Sequence, residues 1–309
     1  MFLPSHEKSM TFKIYLKNFT QFLGRHGFAL FFALVVGLLT LAPQLVVENN
    51  MGSSYLGIHQ QMNDDENYYL ARAQDIMDGH PTLSNPYLAE YKDGLSMQFW
   101  MPDAFLAVVG SVLFGNLRNG MLAWDFLLPT LLFLVSYAIV FSLIRDRLLS
   151  LGTAVLLHFG LFFHEFGRSP SPQFNFIFSL LLTFFLIQVI RTKSVKWILL
   201  SVASFGALFY SYTYYWTYWI VALMLVTIGV FVFFRAKQLL LPFVSIVGGG
   251  IILGIPYFLD TIASTRLPYY AETVERVGMI SSHTPSGISI VIFRWRPPGW
   301  RSRGATQRS

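Results

Sequence analysis

The sequence predicts an all-α membrane protein: a bundle of about seven transmembrane helices with a large outer first loop that contains short helices. Three observations predict it. Hydrophobic residues make up 54% of the chain and charged residues 12%, against roughly 45–50% and 25% in soluble domains. Apolar stretches of about 16 to 25 residues recur along the whole chain, and each can cross a hydrocarbon core of roughly 30 Å as a helix. Basic residues gather in the short connections between these stretches, while acidic residues gather in one long connection near the start.

Residues 1–26 hold Lys8, Lys13, Lys17 and Arg25 against the single acid Glu7. Positive flanking charge stays in the cytoplasm, so this segment is expected there. The first span covers 27–46. It starts too late and runs too long for a cleaved leader, and no Ala-x-Ala-like site follows Val46. Residues 47–99 then carry eight acids and two bases, a net of −6, which places them outside. Within that loop, Asn63-Asp64-Asp65-Glu66-Asn67-Tyr68-Tyr69 opens a short helix. Asn63 or Asp64 can cap it, acids occupy its first turn, and Gly79 followed by Pro81 ends it. On this helix Asp65 and Tyr69 share a face, as do Tyr68 and Arg72, and Arg72 is in reach of Asp75.

Basic clusters at 145–147, 191–196 and 235–237 are separated from one another by two apolar stretches each, so all three lie on one side, the cytoplasmic one. An odd number of spans must therefore link the acidic loop to Arg145. Residues 100–115 contain Pro102, Asp103 and Gly110 and read as a re-entrant or juxtamembrane helix; 120–144 is the span. The remaining spans are 148–163, 174–190, 197–212, 214–234 and 238–258. The transmembrane domain is thus 27–258, including the outer loop 47–119. Residues 259–293 form a further outer loop and the start of another span. Residues 294–309 carry five arginines and no acid and resemble nothing before them. They read as the end of a truncated or frame-shifted chain, with a genuine basic tail as the alternative. The protein is expected in the plasma (inner) membrane.

Several chemistries are excluded. With no cysteine there is no disulfide framework, thiolate metal site or cysteine nucleophile. The net charge of +6 comes from cytoplasmic connections and the tail, and does not indicate nucleic acid. Polar chemistry instead gathers in the outward loops: Asp64, Asp65, Glu66, Tyr69 and Arg72 in the first, His164–Gln173 in the second, and Arg266, Tyr269, Tyr270, Glu272, Glu275, Arg276 and His283 in the third. Acids on two loops can share a divalent cation, Mg or Mn, with Asp65 and Glu165 as its ligands. Arg168, Arg266 or Arg276 can grip a phosphate bidentately. Plainer readings exist for each. The Asp64 side chain can serve only as a cap, and Glu165 with Arg168 can be a local ion pair. The tyrosines and tryptophans of 210–219 fit an interfacial aromatic belt. Asp125 inside a span should face the bundle, and Gly248–Gly250 should mark close helix packing.

An acidic outer loop after the first span, carrying Asp65-Glu66-x-x-Tyr69-x-x-Arg72, followed by a short helix, further spans and a second outer loop with an acid, resembles the GT-C class of integral-membrane glycosyltransferases. The Asp-Glu pair with a tyrosine three residues on is similar to protein O-mannosyltransferases and aminoarabinose transferases. The arginine on the same helix and the 164–173 stretch are closer to oligosaccharyltransferase catalytic subunits. The resemblance covers roughly residues 20–285. It implies Asp65 as the catalytic acid of the first loop and Glu165 as the acid of the second; Glu66 joins Asp65 as a catalytic candidate, and Tyr69, Arg72, Arg168 and Arg276 are the candidate substrate-binding residues. It also implies a polyprenyl-phosphate-linked sugar donor and a lipid, glycan or protein acceptor at the non-cytoplasmic face. Glu165 has no companion acid, and no Trp-Trp-Asp-Tyr-Gly-type acceptor motif is present. Two other readings remain: a transporter or polysaccharide-export component, and a non-catalytic membrane scaffold.

Overall fold

The computed structural model describes residues 5–57, 65–85, 89–95, 99–162, 172–232 and 237–276. Among the described residues every regular element is a helix, as a membrane core without water requires, since each segment must satisfy its own backbone hydrogen bonds. The elements are α1 (Ser5–Met51), α2 (Asp65–Met77), α3 (Met101–Phe114), α4 (Leu117–Ile144), α5 (Arg147–Leu157), α6 (Phe174–Thr192), α7 (Val195–Ser211), α8 (Thr213–Val232), α9 (Lys237–Ser264) and α10 (Tyr270–Arg276). A π-helical turn, His158–Phe162, continues α5. The described residues fall into two units, 5–261 and 262–276. In the second, the described part is the last turn of α9, a tight connection and α10.

Five stretches are long and apolar enough to cross a membrane: Thr20–Ser54, Leu117–Ile144, Phe174–Thr192, Thr213–Val232 and Lys237–Ser264. The sequence expectation of about seven spans included two that are shorter. Arg147–Phe162 and Val195–Ser211 rise only about 24–26 Å, a few ångströms under the hydrocarbon thickness. Helix α3, read from the sequence as too short to span, has 14 residues, about 21 Å. Helix α9 runs to Ser264, six residues beyond the expected boundary at 258, because nothing in 259–264 breaks a helix.

Caps set the connections. The Asn116 side chain accepts from the Asn119 N–H (2.8 Å) and starts α4. Arg145, at φ 63°, ends it by donating its N–H to the Phe141 carbonyl (3.0 Å). Asp146 then caps α5 through the Leu149 N–H (2.7 Å). Only Tyr212, in extended conformation, separates α7 from α8.

The helices of the first unit alternate in direction. Glu48 near the end of α1 pairs with Arg118 at the start of α4 (2.6 Å). At the other end His26 of α1 meets the Tyr137 hydroxyl of α4 (2.8 Å), and Gln188 of α6 donates to Ser142 of α4 (3.1 Å). Arg25, Arg145, Arg147, Arg191, Lys193 and Lys196 therefore gather at one end of the bundle, opposite α2 and α3.

Small residues set the helix spacing. A Cβ on Gly120 of α4 would lie 2.5 Å from Gly110 Cα of α3, a backbone contact that no rotamer change relieves. On α9 a Cβ at Gly249 would lie 2.9 Å from Val202 Cγ1, and one at Gly250 would enter the Phe205 ring, both on α7. The expected close packing at Gly248–Gly250 thus holds for two of the three. Gly248 faces open space. Asp125 is buried, on the inward side of α4 with Trp124 and Leu128.

Two outcomes are expected. Gly120→Ala should lower thermal stability by about 1–3 kcal/mol, the usual cost of overpacking, whereas Gly248→Ala should be neutral or slightly stabilising; melting of the purified protein in one detergent compares them. Single cysteines replacing the exposed residues Asp78 and Lys193 should react with an impermeant maleimide from opposite sides of sealed vesicles. Labelling of both from one side would contradict the alternating arrangement.

Candidate functional site

The site is built on α2, the helix that opens with Asp65-Glu66. Its far end is a Schellman closure, in which Gly79 (φ 102°) donates its N–H to the Ile76 carbonyl (3.2 Å) and His80 to that of Asp75 (2.9 Å). Gly79 is required there because the left-handed backbone carries a penalty for a residue with a Cβ. Residues 63 and 64, expected as the cap of the other end, lie outside the described residues.

One face of α2 is buried: Glu66, Tyr69, Arg72 and Ala73, at helical spacing of three and four. Ala73 packs with Leu106 and Ala107 of α3 and Met121 of α4. Arg72 is 1% exposed, and every part of its guanidinium has a partner. Its Nε (3.1 Å) and Nη2 (2.8 Å) both donate to Oδ2 of Asp103 in the first turn of α3. Nη1 donates to the Tyr68 hydroxyl (3.2 Å) and Nη2 also to the Phe99 carbonyl. The Tyr68 and Phe99 rings flank the cation at 5.2 and 5.3 Å.

The sequence expectation that Arg72 reaches Asp75 is corrected by this geometry. Asp75 is taken by Lys92 (2.5 Å) from the segment that folds back over α2. His80 and Asp93 (2.6 Å) close the same segment. The cleft between them, lined by Arg72, Asp75, Leu83 and Lys92, is too narrow for a water molecule.

Electrostatics agree with a latch. Burial alone would favour a neutral guanidine, but Asp103 and Tyr68 outweigh it and hold Arg72 above its ordinary pKa. Burial pushes the Asp103 carboxyl up, and the Arg72 charge pulls it back only in part. Two N–H donors on one oxygen suit an ionised carboxylate. Asp103 Oδ1 is buried and has no hydrogen-bond partner among the described residues. A buried pair of this kind adds little net stability, because desolvation offsets the attraction. Its effect is to set where α2 sits on α3. Phe99 extends the contact, since its ring meets Tyr212 at 4.9 Å, and Trp100 meets Tyr210 at 5.6 Å. The aromatic turn between α7 and α8 thus lies against the Arg72 latch.

The expected site residues fall into two groups. Glu66, Tyr69 and Arg72 come together on the buried face of α2. Asp65 is the first residue of α2, with its side chain outside the described residues, as is the side chain of Arg276 at the end of α10. Glu165 and Arg168 lie wholly outside them. Among the described residues no group of three or more His, Asp or Glu side chains is placed to hold a metal ion. Sequence reasoning missed three features. The Asp103 carboxylate is the partner of Arg72. Arg118 binds both Glu48 and the Tyr55 hydroxyl (3.2 Å). His158 is buried in the π-helical turn, against Phe133 and Phe162, with no partner for Nδ1 among the described residues. A carboxylate and an arginine in otherwise apolar helices are the signal that could have pointed to the first two.

Compared with known proteins, the chain matches no family model, no curated protein and no solved structure.

Arg72→Met should destabilise the protein by about 3–5 kcal/mol, since it leaves Asp103 buried and unpaired. The double variant Arg72→Met/Asp103→Leu should recover most of that loss. Thermal melting of the three proteins tests this. If the double variant melts no higher than Arg72→Met, the ion pair is not the source of the effect.

Proposed function

We propose that the protein is a membrane glycosyltransferase that moves a sugar from a polyprenyl-phosphate-linked donor to an acceptor at the non-cytoplasmic face. The observation that carries this reading is the anchoring of α2, the helix that bears the motif. Of the four residues in Asp65-Glu66-x-x-Tyr69-x-x-Arg72, three form a buried face that fastens the helix to the bundle. We assign the chemistry to Asp65, the first residue of that helix, on the motif resemblance. A helix anchored in this way offers a general base a fixed backbone.

In the proposed reaction the acceptor O–H or N–H attacks the anomeric carbon, and its proton passes to the Asp65 carboxylate. The bond from that carbon to the phosphate oxygen breaks, and polyprenyl phosphate leaves with the electron pair, giving inversion. Arg168 stabilises the leaving phosphate. Arg72 acts as a positioning residue through Asp103, a role different from the substrate contact that the resemblance implies. A divalent cation between Asp65 and Glu165 would add Lewis-acid stabilisation of the same phosphate; the steps above use only the chain's own groups.

Asp125 and His158, buried in apolar helices, favour a second reading as a transporter, in which such groups mark an ion or proton path.

Asp65→Asn should reduce turnover of a radiolabelled polyprenyl-phosphate sugar in membranes by at least about 100-fold, the usual worth of a general base, with expression unchanged. Asp64→Asn should be milder, because Asn still caps a helix. If both substitutions act equally, Asp65 is only part of the helix start. If Asp65→Asn is silent while Asp125→Asn abolishes substrate uptake into vesicles, the transporter reading replaces this one.

A further inference from the structure

A groove of about 460 Å³ opens at the basic end of the bundle, between α1, α4, α6 and the start of α7. Its size lies in the range of ligand sites. Its floor is apolar, formed by Ala29, Leu134, Ala138, Phe141 and Phe184. Polar groups stand only towards one end: the His26–Tyr137 hydrogen bond (2.8 Å) and the Gln188–Ser142 bond (3.1 Å). Gln188 donates one amide N–H to Ser142 and retains a second. At the mouth is Arg145.

Three observations give this groove a ligand chemistry. First, Arg145 stands beside the groove. Its backbone is the left-handed cap of α4, and its guanidinium stands 5.8 Å from the Phe141 ring that lines the groove. Second, Arg145 makes no ion pair with any described residue, and the acid next to it in sequence, Asp146, caps α5. Third, further cations surround the mouth. Arg147 donates to the Arg25 carbonyl (3.4 Å), one residue from His26, and Lys196 stands 5.0 Å from the ring of Trp197, another groove residue. An apolar trough with an exposed cation at its edge, in no ion pair with a described residue, and more cations at the same end matches a molecule with a hydrocarbon chain and an anionic head.

We infer that this groove is a binding site for an anionic phospholipid, its acyl chain along α4 and its phosphate at Arg145. The site lies at the opposite end of α4 from α2 and the Arg72 latch. It is independent of the reading of Asp65, and a glycosyltransferase, a transporter or a scaffold could each carry it. Basic pockets between helices at a membrane surface take such headgroups because each Lys or Arg adds attraction in a poorly screened setting. A free phosphate shares the headgroup chemistry but leaves the apolar floor unfilled.

The test is native mass spectrometry of the full chain, released from nanodiscs of equal phosphatidylglycerol and phosphatidylcholine. The wild-type protein should retain one phosphatidylglycerol, with a preference over phosphatidylcholine of about fivefold, the effect expected of one basic group at an anionic headgroup. Arg145→Gln should remove the preference. Arg191→Gln, which removes a cation at the same end but outside the groove, should keep it. Ala138→Trp, which fills the trough, should abolish retention. If that variant does not fold, Arg145→Gln alone decides the matter. The inference is overturned if wild-type retains both lipids equally, if Arg145→Gln keeps the preference, if excess inorganic phosphate displaces the lipid, or if the chain emerges as a lipid-free dimer.

Discussion

A single guanidinium organises the part of the molecule that faces away from the basic end. Arg72 has no contact with water, so it can be charged only where other groups replace the water it gave up. Asp103, Tyr68 and the Phe99 carbonyl do so, and each comes from a different place: the next helix, the previous turn of its own helix, and the chain just before α3. The N–H donors of Arg72 cannot all be satisfied unless the three segments stand together. The requirement acts as a registration device. It allows one seat of α2 on α3, and packing of Ala73, Leu106 and Met121 fills the space around it.

The helices were legible in the sequence because their causes are local. Length and apolar content located α1, α4, α6, α8 and α9, and the pattern of Gly79 and Pro81 marked the end of α2 to within about two residues. The short α3 was legible from Pro102, Asp103 and Gly110. Three causes lay beyond local reading. The partner of Arg72 is 31 residues away, whereas sequence spacing offers only the neighbours at three and four, which pointed to Asp75. Asp75 has instead a lysine 17 residues on. The overrun of α9 past 258 had no signal, since a helix does not stop merely because its hydrophobic stretch does.

The candidate site was legible as a motif and not as an arrangement. Asp65, Glu66, Tyr69 and Arg72 were singled out together, but spacing alone could not distinguish residues that touch a substrate from residues that hold a helix down. The structure places Glu66, Tyr69 and Arg72 on one buried face with Ala73, where Arg72 is held by Asp103. At the opposite end of α4, the groove at Arg145 had no sequence signature. It is formed where Ala29 and Ala138 leave space, and small residues in a hydrophobic run look the same whether a neighbour fills that space or not.

The connector between α7 and α8 has a mechanical meaning. One extended residue spans about 3.5 Å, so the facing ends of the two helices have almost no slack. In this hairpin the two helices therefore meet almost end to end at Tyr212. The Tyr212 ring at its apex rests on Phe99, whose carbonyl is a ligand of Arg72. The tip of the α7–α8 hairpin and the seat of α2 are thus joined through the Phe99–Tyr212 and Trp100–Tyr210 ring contacts.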